Sequence, residues 1–106
     1  MAEVIWSPRS ITDINEIAEY IAKDSFQYAT SQTNHFFSKV KALEKHPFSG
    51  RIVPELGINN VRQILCDHYR IIYEMTNDHT ITILTVHHQS RLLKNNLSIK
   101  RRLRKK

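Results

Sequence analysis

The arginine and histidine side chains that could do chemistry together fall in the stretch from Val61 to Leu93. Arginine keeps its positive charge at physiological pH and can present it to a carboxylate or a phosphate, whereas histidine titrates near neutrality and can move protons. Side chains of these two types could bind a charged partner or, if they converge on one atom, act in acid–base catalysis. The candidate residues are Arg62, Arg70, His87, His88 and Arg91.

The pair His87-His88 is constrained by its position in a predicted strand. Adjacent strand residues point to opposite faces of a sheet, so the two rings cannot act on the same atom and at most one of them faces a site. No cysteine or third histidine lies at ligand spacing from the pair, so it does not predict a zinc site. We therefore expect no metal and no cofactor.

The composition of the same stretch predicts strands. Val, Ile, Tyr and Thr are frequent, and short polar breaks occur at Asp67-His68 and at residues 76–79. This pattern predicts a three-stranded antiparallel meander. In its last strand a strict period of two is expected, with Ile81, Ile83, Thr85 and His87 opposite Thr82, Leu84, Val86 and His88. Cys66, the single cysteine, cannot form an internal disulfide and is predicted to be a small buried hydrophobic residue, which fits a reducing cytoplasm.

The N-terminal half predicts a strand and a helical hairpin. Residues 2–6 are a short strand candidate, and Ser7-Pro8 supplies a helix cap and a first helical residue. In the first helix apolar residues recur at three- and four-residue steps, and Asp13 belongs to an acidic face opposite them. Asp24-Ser25 is predicted to break and recap the chain, and a second helix is predicted from Phe26 to about Lys45. The apolar positions are Ile11, Ile14, Ala18 and Ile21 in the first helix and Ala29, Thr33, Phe36 or Phe37, Val40 and Leu43 in the second.

Two antiparallel helices that share one apolar face must cover a sheet. The predicted fold class is therefore α+β, with a small antiparallel β-sheet in β-αα-βββ order and the helical hairpin packed on one face. We expect the other face to be half solvated and residues 46–60 to form a loop. A chain of 106 residues forms a single domain, and no apolar run is long enough to span a membrane.

The net charge of +6 lies in the C-terminal tail. Residues 1–93 contain nine bases and ten acids, a balance of −1, whereas residues 94–106 contain seven bases and no acid. We predict a domain over residues 1–93 and a basic tail, helical or disordered, over residues 94–106. The tail could contact nucleic acid or an acidic partner, or it could be a solvated terminal charge run.

A series of short segments follows the Trp6-Ser7-Pro8 start and the helical hairpin: Gly50-Arg51, Val53 to Glu55, Val61-Arg62, Tyr69 to Glu74, Ile83 to His88 and Ser90 to Leu93. In order and spacing these segments resemble the RelE/ParE toxin superfamily of bacterial type II toxin-antitoxin modules, over about residues 3–93. The resemblance implies the same α+β fold and a cytoplasmic toxin that arrests growth, of a kind associated with plasmid stabilisation.

One activity that the resemblance implies is cleavage of mRNA on the ribosome by RelE-like members. That reaction needs acids and bases around the scissile phosphate, each worth about 10² to 10⁴ in rate. Arg70 matches an arginine of the third family strand, and Arg62 approximately matches a lysine of the second. An mRNA endonuclease would use Arg62, Arg70, His88 and Arg91. The chain departs from the pattern where a lysine, an arginine and a tyrosine are expected, at Ile64, Gln89 and Asn95.

The second implied activity is that of ParE-like members, which inhibit DNA gyrase by binding and need no catalytic cluster. Residues 51–55 and 86–93 resemble this branch more closely, so we predict a gyrase inhibitor that is not an enzyme. A third hypothesis is that the protein has lost toxicity and only binds its antitoxin. The expected contacts with the target are Arg70, His87, His88, Arg91 and Lys94.

The resemblance also implies a partner protein. Toxins of this superfamily are held inactive in a hetero-oligomer by an antitoxin, encoded by an adjacent gene, whose C-terminal segment folds around the hairpin and sheet. The expected antitoxin contacts are Ile14, Ile21, Phe36, Phe37 and Val40, which core packing explains equally well.

Arg70 has two interpretations of equal weight. Its guanidinium could present a cation to a partner, or it could form an ion pair with Glu55 or Glu74 inside the fold.

Overall fold

The computed structural model describes residues 1–77 and 79–104, except for the side chains of residues 101–104. The strands are β1 (Glu3–Trp6), β2 (Arg51–Ile52), β3 (Val61–Cys66), β4 (Tyr69–Asn77) and β5 (Thr80–His88), and the helices are α1 (Pro8–Ala22), α2 (Phe26–Lys41) and α3 (Leu97–Arg104). They form one sheet in the order β1-β5-β4-β3-β2, with the two hairpin helices α1 and α2 on one face. The predicted α+β class and the antiparallel meander of β3, β4 and β5 are confirmed.

Two features of the sheet differ from the expectation. The edge strand β1 pairs with β5 in parallel, from Glu3 with Thr80 to Trp6 with Ile83. The predicted loop of residues 46–60 contains the two-residue strand β2, which pairs antiparallel with β3. The sheet is therefore mixed. Parallel pairing of β1 with β5 is possible because the helical hairpin and the other strands connect the two in the sequence.

The predicted N-caps are present on both helices of the hairpin. The Ser7 hydroxyl accepts a hydrogen bond from the Ser10 amide at 3.1 Å and donates one to the Leu84 carbonyl at 3.1 Å, so the cap also fastens α1 to β5. Ser25 caps α2 by accepting from the Tyr28 amide at 3.0 Å. The helix α2 ends at Lys41, and a short 3₁₀ turn, Ala42–Glu44, takes the place of the predicted last turn.

The hairpin covers one face of the sheet with a continuous apolar layer. Phe36 is fully buried, and the exposed fractions of Ile14, Val40 and Leu43 are 1–3%. These side chains pack on the sheet residues Ile71, Tyr73, Ile81, Ile83 and Val86. The core of the domain therefore lies between the hairpin and the central strands.

The second face of the sheet is also covered, where half solvation was expected. Val53 and Leu56 of the loop, Leu93, and Ile99 of α3 pack on the sheet residues Val61, Ile72 and Leu84. Ile99 lies inside the predicted basic tail, yet it is fully buried. The tail therefore begins as a short helix that is docked on the sheet, because one apolar side chain among the bases faces the core.

The alternation of β5 changes face at a bulge. Ile72 pairs with Thr85 and Tyr73 pairs with Ile83, so Leu84 is an extra residue in β5. As a result Ile83 and Val86 both face the hairpin, whereas Leu84 faces the second layer. The strict period of two predicted for β5 is wrong at this point.

Among the described residues, no helix is long and apolar enough to cross a membrane.

The docking of α3 is testable by truncating its buried side chain. We expect Ile99→Ala to lower the free energy of unfolding by roughly 2–5 kcal/mol, because it removes apolar contacts and leaves a cavity. Urea unfolding followed by circular dichroism measures this. Leu97→Ala is the matched control, since Leu97 is 71% exposed on the same helix and should change stability little. Equal small effects from both substitutions would contradict the docking.

Candidate functional site

A groove of about 820 Å³ lies between α1 and the C-terminal end of β5. Tyr69, Val86 and His87 line it from the sheet, and Arg9, Asp13 and Tyr20 line it from α1. Three of the five expected target contacts, His87, His88 and Arg91, border this groove. Arg70 and Lys94 do not line it.

A chain of buried polar groups crosses the base of the groove. Thr85 is fully buried in β5, and its hydroxyl donates a short hydrogen bond to the carboxylate of Asp13 in α1. The same carboxylate oxygen accepts from the Val86 amide at 3.0 Å, and its other oxygen meets the Arg9 guanidinium at 3.2 Å. On the other side the Thr85 hydroxyl accepts from the Asn96 side-chain amide at 3.1 Å. These contacts join α1, β5 and the start of α3.

Asp13 is buried, although the sequence pattern predicts an exposed position. The sequence pattern placed it on a solvated acidic face, but its exposed fraction is 8%. Burial raises the pKa of this carboxyl group, and the hydrogen bonds from Thr85 and Val86 partly offset that effect. Asp13 therefore stabilises the unpaired edge of β5 instead of contributing to an exposed charge cluster.

His87 uses both ring nitrogens inside the fold. Its Nδ1 lies 3.0 Å from the side-chain nitrogen of Asn96, and its Nε2 lies 3.0 Å from the Arg91 carbonyl. Because the carbonyl can only accept, we assign the proton to Nε2, and Nδ1 then accepts from Asn96. Asn96 Oδ1 is already used to cap α3 through the Ser98 amide at 2.9 Å. His87 is thus a structural histidine in this arrangement, because both of its ring nitrogens are bound within the fold.

His88 lies on the other face of β5, as the strand geometry predicted. Its ring packs edge to face on Tyr69 with centroids 5.2 Å apart, on the hairpin side of the sheet. Its Nδ1 accepts from the Ser90 amide at 3.1 Å and lies 2.7 Å from the Ser90 hydroxyl. The two rings both border the groove at the edge of the sheet, but they lie on opposite faces of β5 and do not form an acid/base pair.

Arg70 forms the ion pair with Glu55 that was one of its two interpretations. Its two terminal nitrogens lie 3.0 and 2.8 Å from the two carboxylate oxygens, and the first also donates to Gln63 Oε1 at 3.0 Å. The Arg70 side chain is 11% exposed. The Glu55 side chain is 39% exposed, so the carboxylate stands at the surface. The bidentate geometry holds the guanidinium in one orientation and occupies both of its terminal nitrogens.

The loop that carries Glu55 is held by buried contacts on both sides. The Tyr73 hydroxyl donates to the Pro47 carbonyl at 2.8 Å and accepts from the Gly50 amide at 3.0 Å. A side chain at Gly50 would place its Cβ 2.7 Å from the Gln63 carbonyl oxygen, so only glycine fits this close approach. Val53 and Leu56 are fully buried on either side of Glu55 and fix the direction of its side chain.

Arg62 also serves this loop. Its guanidinium donates to the Asn59 carbonyl, to Asn59 Oδ1 and to the Gly50 carbonyl at 3.0–3.1 Å, and it lies over the Phe48 ring. The predicted catalytic arginines Arg62 and Arg70 are therefore both engaged in holding the loop against the sheet.

Two of the predicted target contacts are accessible cations. Arg91 and Lys94 are exposed, and neither side chain forms a hydrogen bond or an ion pair with the described residues. Arg91 stands at the rim of the groove, whereas Lys94 follows it in the short 3₁₀ turn Leu93–Asn95.

The expected antitoxin contacts fall into two groups. Ile14, Phe36 and Val40 are buried under the hairpin and offer no surface to a partner. Ile21 is half-buried and Phe37 is 43% exposed, with its ring packed on Trp6. The other strongly exposed aromatic residues of the hairpin are Tyr20, Phe26 and Tyr28.

Sequence reasoning missed the residues that hold the groove together. Asp13 carries no local signal that distinguishes a buried carboxylate from a solvated one. Asn96 does carry a signal, because asparagine before the Leu97 to Lys100 segment has the pattern of a helix N-cap. The strand pattern around Thr85 gives no indication that its hydroxyl bonds to Asp13 and Asn96.

Comparisons with known proteins are consistent with this architecture. The family model described as the ParE toxin of the type II toxin-antitoxin system parDE matches residues 4–93. No curated protein matches significantly. Among solved structures, one titled as the chromosomal ParDE toxin-antitoxin system from P. aeruginosa is similar, with a TM-score of 0.69 and 18% identity, covering 83% of this chain and 96% of that one. At this identity the structural likeness supports the fold.

The Arg70–Glu55 pair makes stability depend on pH. Hydrogen bonds from Arg70 lower the pKa of Glu55 below its usual value of about 4.5. Such a carboxyl group contributes stability that is fully present above its unfolded-state pKa and is lost as pH falls through its folded-state pKa. We therefore expect Glu55→Gln to be less stable than the wild type at neutral pH, with the difference shrinking below pH 4.5.

Urea unfolding as a function of pH measures this difference. Glu19→Gln is the control, because Glu19 is exposed on α1 and the substitution should give a small difference at every pH. A Glu55→Gln deficit that stays constant from neutral pH to well below 4.5 would contradict a stabilising role for the ionised pair.

Proposed function

Because this chain belongs to the ParE toxin family of type II toxin-antitoxin systems, we propose that it arrests growth by binding DNA gyrase, without cleaving RNA. The observation that carries the proposal is the engagement of Arg70. Both terminal nitrogens of this guanidinium are bound to Glu55, and one of them also to Gln63. A guanidinium in this state cannot stabilise a phosphorane unless it first abandons a bidentate ion pair.

The other groups that a nuclease would need are engaged in a similar way. Arg62 donates to the loop that ends at Asn60, and His88 Nδ1 is used by Ser90. Of the four predicted catalytic side chains, Arg91 alone is without a hydrogen bond to the described residues. One positioned cation supplies about 10³ to 10⁵ in rate, short of the acceleration of about 10⁶ or more that enzymes typically provide.

A binding function makes smaller demands on the same surface. It needs an accessible anchor, a rigid support and some apolar area around them. Arg91 supplies the anchor at the rim of the groove, and the hydrogen bond from His87 to its carbonyl fixes the backbone there. Exposed Leu92 and the half-buried Tyr69 ring supply apolar area nearby.

An antitoxin is proposed as the second partner, in a toxin–antitoxin complex located in the cytoplasm. The support from the molecule is the set of exposed aromatic side chains along the hairpin. Tyr20, Phe26 and Tyr28 are 58–77% exposed, and Phe37 is 43% exposed. Exposed aromatic side chains are enriched at protein-binding surfaces, and these four lie on the two hairpin helices. Copurification with the product of the adjacent reading frame, and its loss on Phe37→Asp, would support this partner.

The target is testable with purified components. We expect the protein to inhibit supercoiling of relaxed plasmid by gyrase, and Arg91→Ala to raise the concentration needed for inhibition by about tenfold or more, because a charged hydrogen bond contributes about 1.5–3 kcal/mol. Gel electrophoresis of the plasmid topoisomers measures the inhibition.

Lys45→Ala is the matched control. Lys45 is an exposed cation beside Glu44, whose carbonyl accepts from Ala2 at the opposite end of the sheet from the groove. This variant should inhibit gyrase like the wild type. Gyrase left active by an excess of folded protein would overturn the proposal, and the absence of growth arrest on induction would favour a non-toxic antitoxin-binding protein.

A further inference from the structure

A second cluster of reactive side chains lies outside the set that lines the groove, where α2 crosses the turn between β3 and β4. His35 of α2 and Asp67 of the turn form a contact of 2.8 Å between Nδ1 and Oδ2. Cys66, the last residue of β3, places its Sγ 3.9 Å from the same carboxylate oxygen. The three potential ligand atoms all lie within 4.8 Å of one another.

The backbone holds this cluster in place. Asp67 has a φ of 57°, in the left-handed region, which follows from its position in the two-residue turn between β3 and β4. Its carboxylate also accepts from the side-chain amide of Gln32, which lies one helical turn before His35, at 3.0 Å. The buried Cys66 forms the floor, whereas the side chains of His35 and Asp67 are 44% and 41% exposed. The three side chains are therefore already close together, with Cys66 buried and with His35 and Asp67 open to solvent.

The donor set selects among cations. A thiolate, an imidazole and a carboxylate together suit zinc and similar borderline divalent ions, whereas magnesium and calcium prefer oxygen ligands alone. Ligand bonds of about 2.0–2.3 Å in a tetrahedron separate the donor atoms by roughly 3.3–3.8 Å. The observed separations reach this range with shifts of about 1 Å at the exposed His35 and Asp67 side chains.

We propose that His35, Cys66 and Asp67 form a binding site for a zinc-class divalent cation. Three protein ligands leave a fourth coordination position for water, and the Gln32 amide can rotate to present its oxygen there. Burial and the neighbouring Asp67 raise the pKa of the Cys66 thiol to about 11, so the incoming cation must displace a proton from it. The bound ion joins α2 to the β3–β4 turn and stabilises the packing of the hairpin on the sheet.

Periodicity could not reveal this site. Cys66 and Asp67 are adjacent in the sequence, but His35 lies on a different element and meets them through the antiparallel course of α2 over the sheet. Considered alone, Cys66 is a buried apolar residue and Asp67 a turn residue. Metal binding here does not depend on whether gyrase is the target.

Cobalt(II) is the probe for the test, because it substitutes for zinc and absorbs light according to its ligands. We expect titration of the full-length protein, kept reduced with a non-thiol reagent, to give one equivalent of bound cobalt with a thiolate-to-cobalt charge-transfer band. Cys66→Ser should remove that band. His35→Ala, a change at an exposed position that leaves the core intact, should weaken cobalt binding by about 10- to 100-fold. Zinc should displace the cobalt and raise the melting temperature of the wild type.

His46→Ala is the control, since His46 is an exposed histidine outside the cluster. This variant should bind cobalt like the wild type. The absence of a charge-transfer band in the wild type would overturn the site. Equal cobalt affinity in the wild type and His35→Ala would also overturn it, because binding would then come from scattered surface imidazoles.

Discussion

Halfway along its length the fifth strand loses its outer neighbour, β1, while it stays paired with β4 on its other side. Side chains of α1 and of its N-cap satisfy backbone groups that this leaves without a strand partner. The strand β1 pairs with β5 as far as Ile83. Beyond that point the Leu84 carbonyl accepts from the Ser7 hydroxyl, and the Val86 amide donates to the Asp13 carboxylate. A buried backbone group left unpaired would cost about 1–3 kcal/mol. The Thr85 hydroxyl then links Asp13 to Asn96, so α1 and α3 are fastened to the same segment of β5.

This arrangement decides which side chains remain available for function. The hydrogen bonds that secure the segment after β5 occupy both nitrogens of His87, and those that secure the loop on the second face occupy Arg62 and Arg70. The exposed side chains include Arg91 at the rim of the groove and the aromatic residues Tyr20, Phe26, Tyr28 and Phe37 of the hairpin helices. A surface of this composition is suited to recognising other proteins.

Sequence reasoning reached the fold class, the meander, the caps of both hairpin helices and the opposite orientations of the two histidines, because each of these depends on local periodicity or capping chemistry. It could not reach contacts between distant segments. Asp13 is buried because it accepts from a backbone amide on the part of β5 that β1 does not reach. The second face of the sheet is covered because Ile99, an apolar residue in a basic segment, packs on it. The bulge at Leu84 has no mark in the sequence, so the predicted alternation after Ile83 was wrong. The choice between the two interpretations of Arg70 needed the position of Glu55, which comes from the packing of Val53 and Leu56.

The central claim is that the protein acts by binding gyrase and leaves RNA intact. The most direct measurement is induction of the chain without an antitoxin in cells that carry a reporter of DNA damage, with primer-extension mapping of translated transcripts from the same culture. The account predicts that the reporter rises while the transcripts remain uncut. Transcripts cut within their coding regions, with the reporter at its basal level, would contradict it.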